Sequence, residues 1–144
     1  MRVIFEKAVS DDEEQAIIKA VKKTDEIETA IGLLESAGGR IAVSMEGQTY
    51  LLEHNKIYYI ESIDKKTFIY TKENCYETKL RLYELEDMLN TNFLRCAKAM
   101  IVNIRKIRSV KSDMNGRMNA KLLNDETVVI ARSYVKELKN RLGI

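Results

Sequence analysis

Basic side chains recur along one strand-forming apolar segment of this chain, residues 93–107. Its cations are Arg95, Lys98, Arg105 and Lys106, and most residues between them are apolar. Cations at strand ends and turns can contact phosphate oxygens, and release of the counterions around a phosphate array favours such contacts. The pattern therefore predicts a surface that binds a polyanion. A solvated basic face is the alternative that residue types alone leave open.

The distribution of charge along the chain favours the same segment. The net charge of +2 hides an asymmetry: residues 1–40 and residues 41–90 each carry 6 basic and 9 acidic side chains, whereas residues 91–144 carry 12 basic and 4 acidic ones. The last third is thus net +8 and attracts nucleic acid or an anionic membrane surface.

Residues that could support catalysis are sparse. The one histidine, His54, has no serine or cysteine at a useful spacing, so a surface turn is the expected role. The carboxylates Glu84, Glu86 and Asp87 suit the solvated face of a short amphipathic helix, and no glycine loop of a phosphate-binding type is present. We expect no enzymatic activity.

Metal and membrane signals are also weak. Cys75 and Cys96 lie 21 residues apart without a CxxC pattern or a neighbouring histidine, so neither a zinc site nor a disulfide framework is indicated, and no cofactor is expected. No apolar run approaches the roughly 20 residues that span a bilayer, and the first residues lack a signal-peptide core. We expect a soluble cytoplasmic protein.

The first 40 residues are interpreted as an extension of the main domain. Residues 3–9 and 16–21 are β-prone and could pair as a hairpin. Asp25 and Glu28 fit a helix N-terminal box, followed by a stripe of Ile27, Ile31 and Leu34, and Gly38 and Gly39 end that helix. The expected domains are therefore 1–40 and 41–144.

After residue 40 the hydrophobic period changes to two, which predicts a mainly β domain of α+β type. Glu46 and Gly47 form a tight turn between the first two strands, Leu82, Leu85 and Leu89 mark a short helix, and a helical stripe ends the chain. The remaining strands are expected over residues 56–61, 67–71, 93–102, 107–111, 117–123 and 127–130.

Three segments, in order, resemble the LytTR (LytR/AlgR-type) DNA-binding domain. They are residues 57–62 (IYYIES), 93–103 (FLRCAKAMIVN) and 129–135 (VIARSYV). The second is similar to the family pattern Phe-x-Arg-x-His/Ser-Lys/Arg-Ser-x-Ile-Val-Asn, and the third to Ser-Arg-x-Tyr. Together they cover roughly residues 41–144, and the arrangement resembles small stand-alone bacterial regulators of this family.

The resemblance implies a fold of short antiparallel β-sheets with two short helices that grips double-stranded DNA with loops and strand ends. It implies a sequence-specific transcriptional regulator that enters two successive major grooves, bends the duplex and pairs as a homodimer on direct repeats. Carried over by position, the expected DNA contacts are Lys65, Lys66, Thr67, Arg95, Lys98, Arg132 and Ser133. Lys98 is expected to matter most, and Asn103 is expected to play a structural role in the turn that follows it.

Departures from the family pattern leave a second interpretation open. Ala97, Ala99 and Ala131 replace small polar residues, and each missing donor removes a hydrogen bond of about 0.5 to 1.5 kcal/mol. A degenerate module that binds a protein partner instead of specific DNA is therefore the alternative. For residues 1–40, dimerisation and packing on the main domain both remain open.

Overall fold

The computed structural model describes residues 1–10, 13, 15–36 and 39–144, without the side chains of residues 35 and 36. The helices are α1 (Asp25–Ser36), α2 (Leu82–Met88) and α3 (Val135–Leu142). Short 3-10 turns occupy His54–Lys56, Ile104–Lys106 and Arg132–Tyr134. The strands are β1 (Arg40–Met45), β2 (Gln48–Glu53), β3 (Tyr59–Ile63), β4 (Lys66–Tyr70), β5 (Cys75–Thr78), β6 (Phe93–Ala97), β7 (Met100–Asn103), β8 (Ile107–Ser112), β9 (Met118–Leu122) and β10 (Thr127–Ile130).

The strands form two antiparallel sheets. Seven strands pair in the order β2-β1-β5-β4-β3-β7-β6, and three pair in the order β10-β9-β8. Two hairpins of the larger sheet close with two-residue turns in which both residues have positive φ: Glu46 and Gly47 (51° and 79°), and Asp64 and Lys65 (50° and 67°). Turns of this hand match the right-handed twist of paired strands, so they fix the register of β1 with β2 and of β3 with β4.

Hydrophobic cores cover both faces of the larger sheet. Ile101 and Val102 are adjacent in β7 and both buried, and each belongs to a different core, as alternation along a strand requires. The Ile101 core also contains Leu82 and Leu85 of α2. The Val102 core contains residues of β9 and β10 and Leu138 of α3, so the smaller sheet and the last helix cover that face.

The mainly antiparallel β fold with a few short helices confirms the expected fold class. One expected strand, residues 93–102, is instead the hairpin of β6 and β7, which turns at Lys98 and Ala99. Neither turn residue is glycine, proline, asparagine or aspartate, so the usual turn signals were missing. The four-residue strand β5 was also not predicted.

The segment before α1 differs from the expectation. In residues 1–10, 13 and 15–24 the structure contains no strand, so the hairpin expected from residues 3–9 and 16–21 is wrong for this part of the chain. Side chains such as Val3 and Phe5 are about nine-tenths exposed, and a lone two-stranded hairpin with no core to cover is marginal in water. Gly38 lies outside the described residues, and Gly39 directly precedes β1.

The residue that caps helix α1 lies one position earlier than the sequence suggested. The hydroxyl of Thr24 accepts a hydrogen bond from the backbone N–H of Ile27 (3.3 Å), which makes Thr24, and not Asp25, the capping residue. None of the helices in the described part of the chain is long and apolar enough to cross a membrane.

Candidate nucleic-acid interface

Three loops that carry expected DNA contacts meet at one end of the strands of the larger sheet. The backbone N–H of Ser62, near the end of β3, donates to the carbonyl of Ala99 in the β6–β7 turn (2.8 Å). The backbone N–H of Ala131, after β10, donates to the carbonyl of Cys96 (2.8 Å). The β6–β7 turn is thus held between the β3–β4 turn and the 131–133 segment, and we call this the basic edge.

The first part of the basic edge is the β3–β4 turn. Lys65 and Lys66 are both exposed, and the guanidinium of Arg81 donates to the Lys65 carbonyl (3.1 Å). Thr67 pairs with Thr78 in the neighbouring strand β5. The residue after Thr78, an exposed lysine at position 79, therefore lies beside Lys66.

Two of the expected contacts do not project freely from this edge. Thr67 is only 3% exposed, so its burial argues against a contact with DNA. Arg95 is half-buried and its Nη1 lies 2.9 Å from Glu86 Oε1 of α2. A phosphate would have to compete with this carboxylate, so Arg95 is better described as a link between β6 and α2.

Lys98 occupies the tip of the β6–β7 turn. Its side chain is exposed and forms no ion pair with any residue that the structure describes. The flanking Ala97 and Ala99 offer no side-chain donors, so the ammonium group of Lys98 is the main polar feature of this turn.

Arg132 is held by the turn between β8 and β9. Its Nε donates to the carbonyl of Asn115 (3.0 Å), and a Cβ added to Gly116 would lie 3.2 Å from that Nε. Gly116 has φ 81°, which glycine adopts without steric cost. A 3-10 turn carries Arg132 and the exposed Ser133, and the last helix begins after it at Val135.

The β8–β9 turn itself is fixed by Asp113. This carboxylate accepts hydrogen bonds from the backbone N–H groups of Asn115 (2.8 Å) and Arg117 (3.1 Å), and it pairs with the Arg117 guanidinium (3.2 Å). Desolvation alone would raise the pKa of Asp113, but these hydrogen bonds and the neighbouring charge lower it. The carboxylate therefore stays ionised and supports the loop on which Arg132 rests.

Three cations at or beside this edge were not singled out from the sequence: Lys79, Arg81 and Arg117. Lys79 and Arg81 reach the edge through the pairing of β4 with β5, and Arg117 reaches it through the β8–β9 turn. The strand pairing and the position of the turn are both tertiary features without a local sequence signal. The one available hint was that Lys79 and Arg81 directly precede the amphipathic helix α2.

The basic segment 93–107 is divided between two ends of the sheet. Strand β7 runs away from the Lys98 turn, so Arg105 and Lys106 lie at the far end, about 13 Å away for four residues of strand. We call the end of strands β3 to β7 that contains Tyr59, Tyr70 and Asn103 the far end of the sheet. The amide of Asn103 is buried there; it donates to the Ile57 carbonyl (2.8 Å) and accepts from the Arg105 N–H (3.0 Å).

No group of three or more histidine, cysteine, aspartate or glutamate side chains that could hold a metal occurs among the described residues. Cys75 and Cys96 are free thiols. Burial raises the pKa of Cys96 to about 12, so its thiol is protonated and unreactive near neutral pH.

Comparison with known proteins identifies the family of the chain. The family model of the LytTr DNA-binding domain matches residues 47–143. The chain is 28% identical over 134 residues to proteins described as uncharacterized HTH-type transcriptional regulators in Staphylococcus aureus strains bovine RF122 / ET3-1 and NCTC 8325 / PS 47, covering 93% of this chain and 84% of each relative.

A solved structure shows the same fold. It is the LytTr DNA-binding domain of a Bacillus cereus protein described as a methyl-accepting/DNA response regulator, with a TM-score of 0.70 and 26% identity over 74% of this chain and 98% of that one. The chain therefore belongs to the LytTr DNA-binding domain family.

Proposed function

We propose that this protein is a cytoplasmic transcriptional regulator that binds specific sites in double-stranded DNA through its basic edge. The observation that carries the proposal is the pair of backbone hydrogen bonds that places the β6–β7 turn between the other two loops. This arrangement gathers exposed cations from three parts of the sequence on one edge: Lys65, Lys66, Lys98 and Arg132. Family membership and the names of the relatives support DNA as the partner.

The proposed contacts are made by loops and not by a recognition helix. In the described part of the chain, the three helices are separated from one another by strands, so none follows another as in a helix-turn-helix. A tight turn that carries one long cation is narrow enough for a major groove about 12 Å wide. Lys98 and the Lys65–Lys66 pair are the side chains that we expect in the grooves.

The remaining members of the interface have supporting roles in this proposal. Arg132 and Ser133 contact phosphates, and Arg81 and Lys79 extend the positive surface beyond Lys66. We further propose that two copies bind adjacent direct repeats, with one copy on each repeat. Such pairing would add the contacts of a second basic edge without any change in the first.

The role of residues 1–40 is part of the same proposal. Large apolar side chains in this segment are exposed, including Val3, Phe5 and Val9. We propose that they bury this surface against a second copy, because exposed apolar groups favour association over solvation. Sedimentation of a chain that begins at Arg40 tests this: an unchanged oligomeric state would rule out dimerisation through the segment.

DNA-binding titrations at several salt concentrations test the main proposal, with DNA from upstream of the protein's own gene. We expect a preference of roughly a thousandfold or more over scrambled DNA at fixed salt. Lys98→Ala should weaken binding by about 1 to 3 kcal/mol if it reads a base, and should reduce the salt slope by about 1 if it contacts phosphate.

The matched control is Lys72→Ala. Lys72 is an exposed lysine at the far end of the sheet, so its removal changes the net charge equally but removes no contact at the basic edge. If Lys98→Ala and Lys72→Ala retain specific binding equally, the DNA contacts a surface other than the basic edge. No sequence preference at all would favour the alternative suggested by Ala97, Ala99 and Ala131, a module that binds a protein partner.

A further inference from the structure

A second group of cations surrounds a surface pocket at the far end of the larger sheet. The pocket has a volume of about 440 Å³. Its walls include Lys56 after β2, Lys72 in the β4–β5 turn, Lys106 after β7, and the rings of Tyr58 and Tyr76. The volume falls within the range of about 300 to 1,000 Å³ that is typical of small-molecule sites.

The pocket concentrates positive charge that the rest of the described chain does not neutralise. Three lysines face one carboxylate, Glu73, and none of the three forms an ion pair with a residue in the described ranges. Desolvation, and secondarily the charge of Lys56, lowers the pKa of Lys106. Because the lysine cations repel one another in a partly desolvated site, a bound anion would favour their charged forms.

Two tyrosine residues, Tyr58 and Tyr76, also line the pocket. The ammonium of Lys106 lies 5.2 Å from the centroid of the Tyr58 ring, and Tyr76 contacts Tyr50 edge to face with 5.5 Å between ring centroids. Thr71 and Asn74 also line the pocket, and the backbone N–H of Thr71 donates to the Asn74 carbonyl (2.9 Å). Lysines beside tyrosine rings suit a ligand with an anionic group and a flat body.

The position of the pocket separates it from the proposed DNA contacts. Strands β3, β4 and β7 begin at one end of the sheet and finish at the other, so about 13 to 17 Å of strand lies between Lys106 and the Lys98 turn. DNA on the basic edge would leave the pocket open to solvent, and both sites could be occupied together.

We propose that this pocket binds a small organic phosphate, in which the phosphate group contacts Lys56, Lys72 and Lys106 and a planar ring lies against the half-buried Tyr76. The site is distinct from the proposed DNA interface and does not depend on it. Its ligand would be a cellular metabolite that combines a phosphate with an aromatic or heteroaromatic ring.

Calorimetric titration of the full-length protein tests the proposal with four probes: phenyl phosphate, adenosine monophosphate, inorganic phosphate and adenosine. We expect at least one ring phosphate to bind saturably with a dissociation constant below about 1 mM. Inorganic phosphate and adenosine should each bind at least about tenfold more weakly, because each supplies only one of the two contacts. Failure of both ring phosphates to bind would overturn the proposal.

Matched variants locate the binding. Lys106→Gln should weaken ring-phosphate binding about tenfold or more, Lys106→Arg should retain most of it, and Lys98→Gln at the basic edge should leave it unchanged. Thermal melting of each variant checks that it is folded, and Lys72→Gln repeats the test on a turn lysine. Two results would overturn the proposal. One is an equal loss of ring-phosphate binding in Lys106→Gln and Lys98→Gln. The other is a loss of DNA affinity in Lys106→Gln comparable to that in Lys98→Ala.

Discussion

The two ends of the larger sheet carry similar cations in different settings. At the basic edge, Lys65 and Lys98 stand on tight turns and extend into solvent. At the far end, Lys106 lies over an aromatic ring in a pocket, and the buried side chain of Asn103 caps the 3-10 turn that carries Lys106. Projecting cations can enter a groove of a larger polyanion, whereas cations in a concavity can surround only a small anion. Charge alone therefore does not distinguish the two sites, and the shape of the backbone does.

The difference begins in how the chain turns at each end. The β3–β4 turn uses two residues of positive φ and presents its side chains outward. At the far end, β7 passes into the 3-10 turn Ile104–Lys106. Asn103 caps this turn, and its side-chain amide donates a hydrogen bond to the carbonyl of Ile57, just before β3. The β3–β4 turn of the basic edge is thus fixed by local turn geometry, whereas the 3-10 turn at the far end is held by one buried polar side chain.

Removing that side chain should produce the largest effect. Asn103→Ala leaves the Ile57 carbonyl and the Arg105 N–H without their partner, and we expect the free energy of unfolding to fall by about 2 to 4 kcal/mol. Urea denaturation measures this change in the free energy of unfolding. The control is Asn140→Ala on the exposed surface of α3, which should change stability by no more than about 0.5 kcal/mol. Equal, small effects of both substitutions would show that the far end does not depend on Asn103.

The contrast also explains what the sequence could and could not reveal. The β1–β2 turn and α2 carry strong local signals, a glycine in one and a leucine stripe in the other, and both were predicted. The Lys98–Ala99 turn has no such signal, because its geometry comes from pairing with Ser62 and from the smaller sheet.

The grouping of the candidate interface residues was predictable to a similar degree. Lys65, Lys66, Lys98, Arg132 and Ser133 lie exposed at one edge, as a shared interface requires. The burial of Thr67 and the pairing of Arg95 with Glu86 depend on tertiary packing, which spacing along the chain does not encode. For the same reason, the separation of Lys106 from Lys98 could not be read from a continuous basic segment.

A substitution in the β8–β9 turn tests whether the basic edge needs its supporting loop. Gly116→Ala places a Cβ 3.2 Å from Arg132 Nε and forces alanine into a left-handed conformation, which costs about 1 to 2 kcal/mol. We expect this loss of stability together with a DNA affinity that falls by a few-fold, because Arg132 must move. Anisotropy titration and urea denaturation measure the two effects.

Gly47→Ala separates the effect of backbone strain from the effect of displacing Arg132. Gly47 has a similar φ of 79°, but a Cβ there would meet no atom within 4 Å. We expect the same order of destabilisation and no change in the DNA affinity of the folded protein. If both variants lowered DNA affinity equally, the position of Arg132 would not matter to the interface.

The smallest effect should come from the histidine beside the far end. His54 is 7% exposed, neither ring nitrogen has a hydrogen-bond partner among the described residues, and desolvation lowers its pKa from the usual 6.5. The folded state therefore favours the neutral ring. Its contribution to stability is fully present above about pH 6.5 and is lost as the pH falls below that value. We expect a lower melting temperature at pH 5.5 than at pH 7.5.

Because His54 is the only histidine in the chain, its replacement isolates the effect. His54→Gln should reduce the difference in melting temperature between pH 5.5 and pH 7.5, since glutamine does not titrate. In the unsubstituted protein, amide chemical shifts should move over the same pH range for residues near the His54–Lys56 turn, and much less for Ser62 and Ala131 at the basic edge. Equal shifts at both ends would mean that protonation of His54 loosens the whole sheet, and the two ends would then not respond as separate regions.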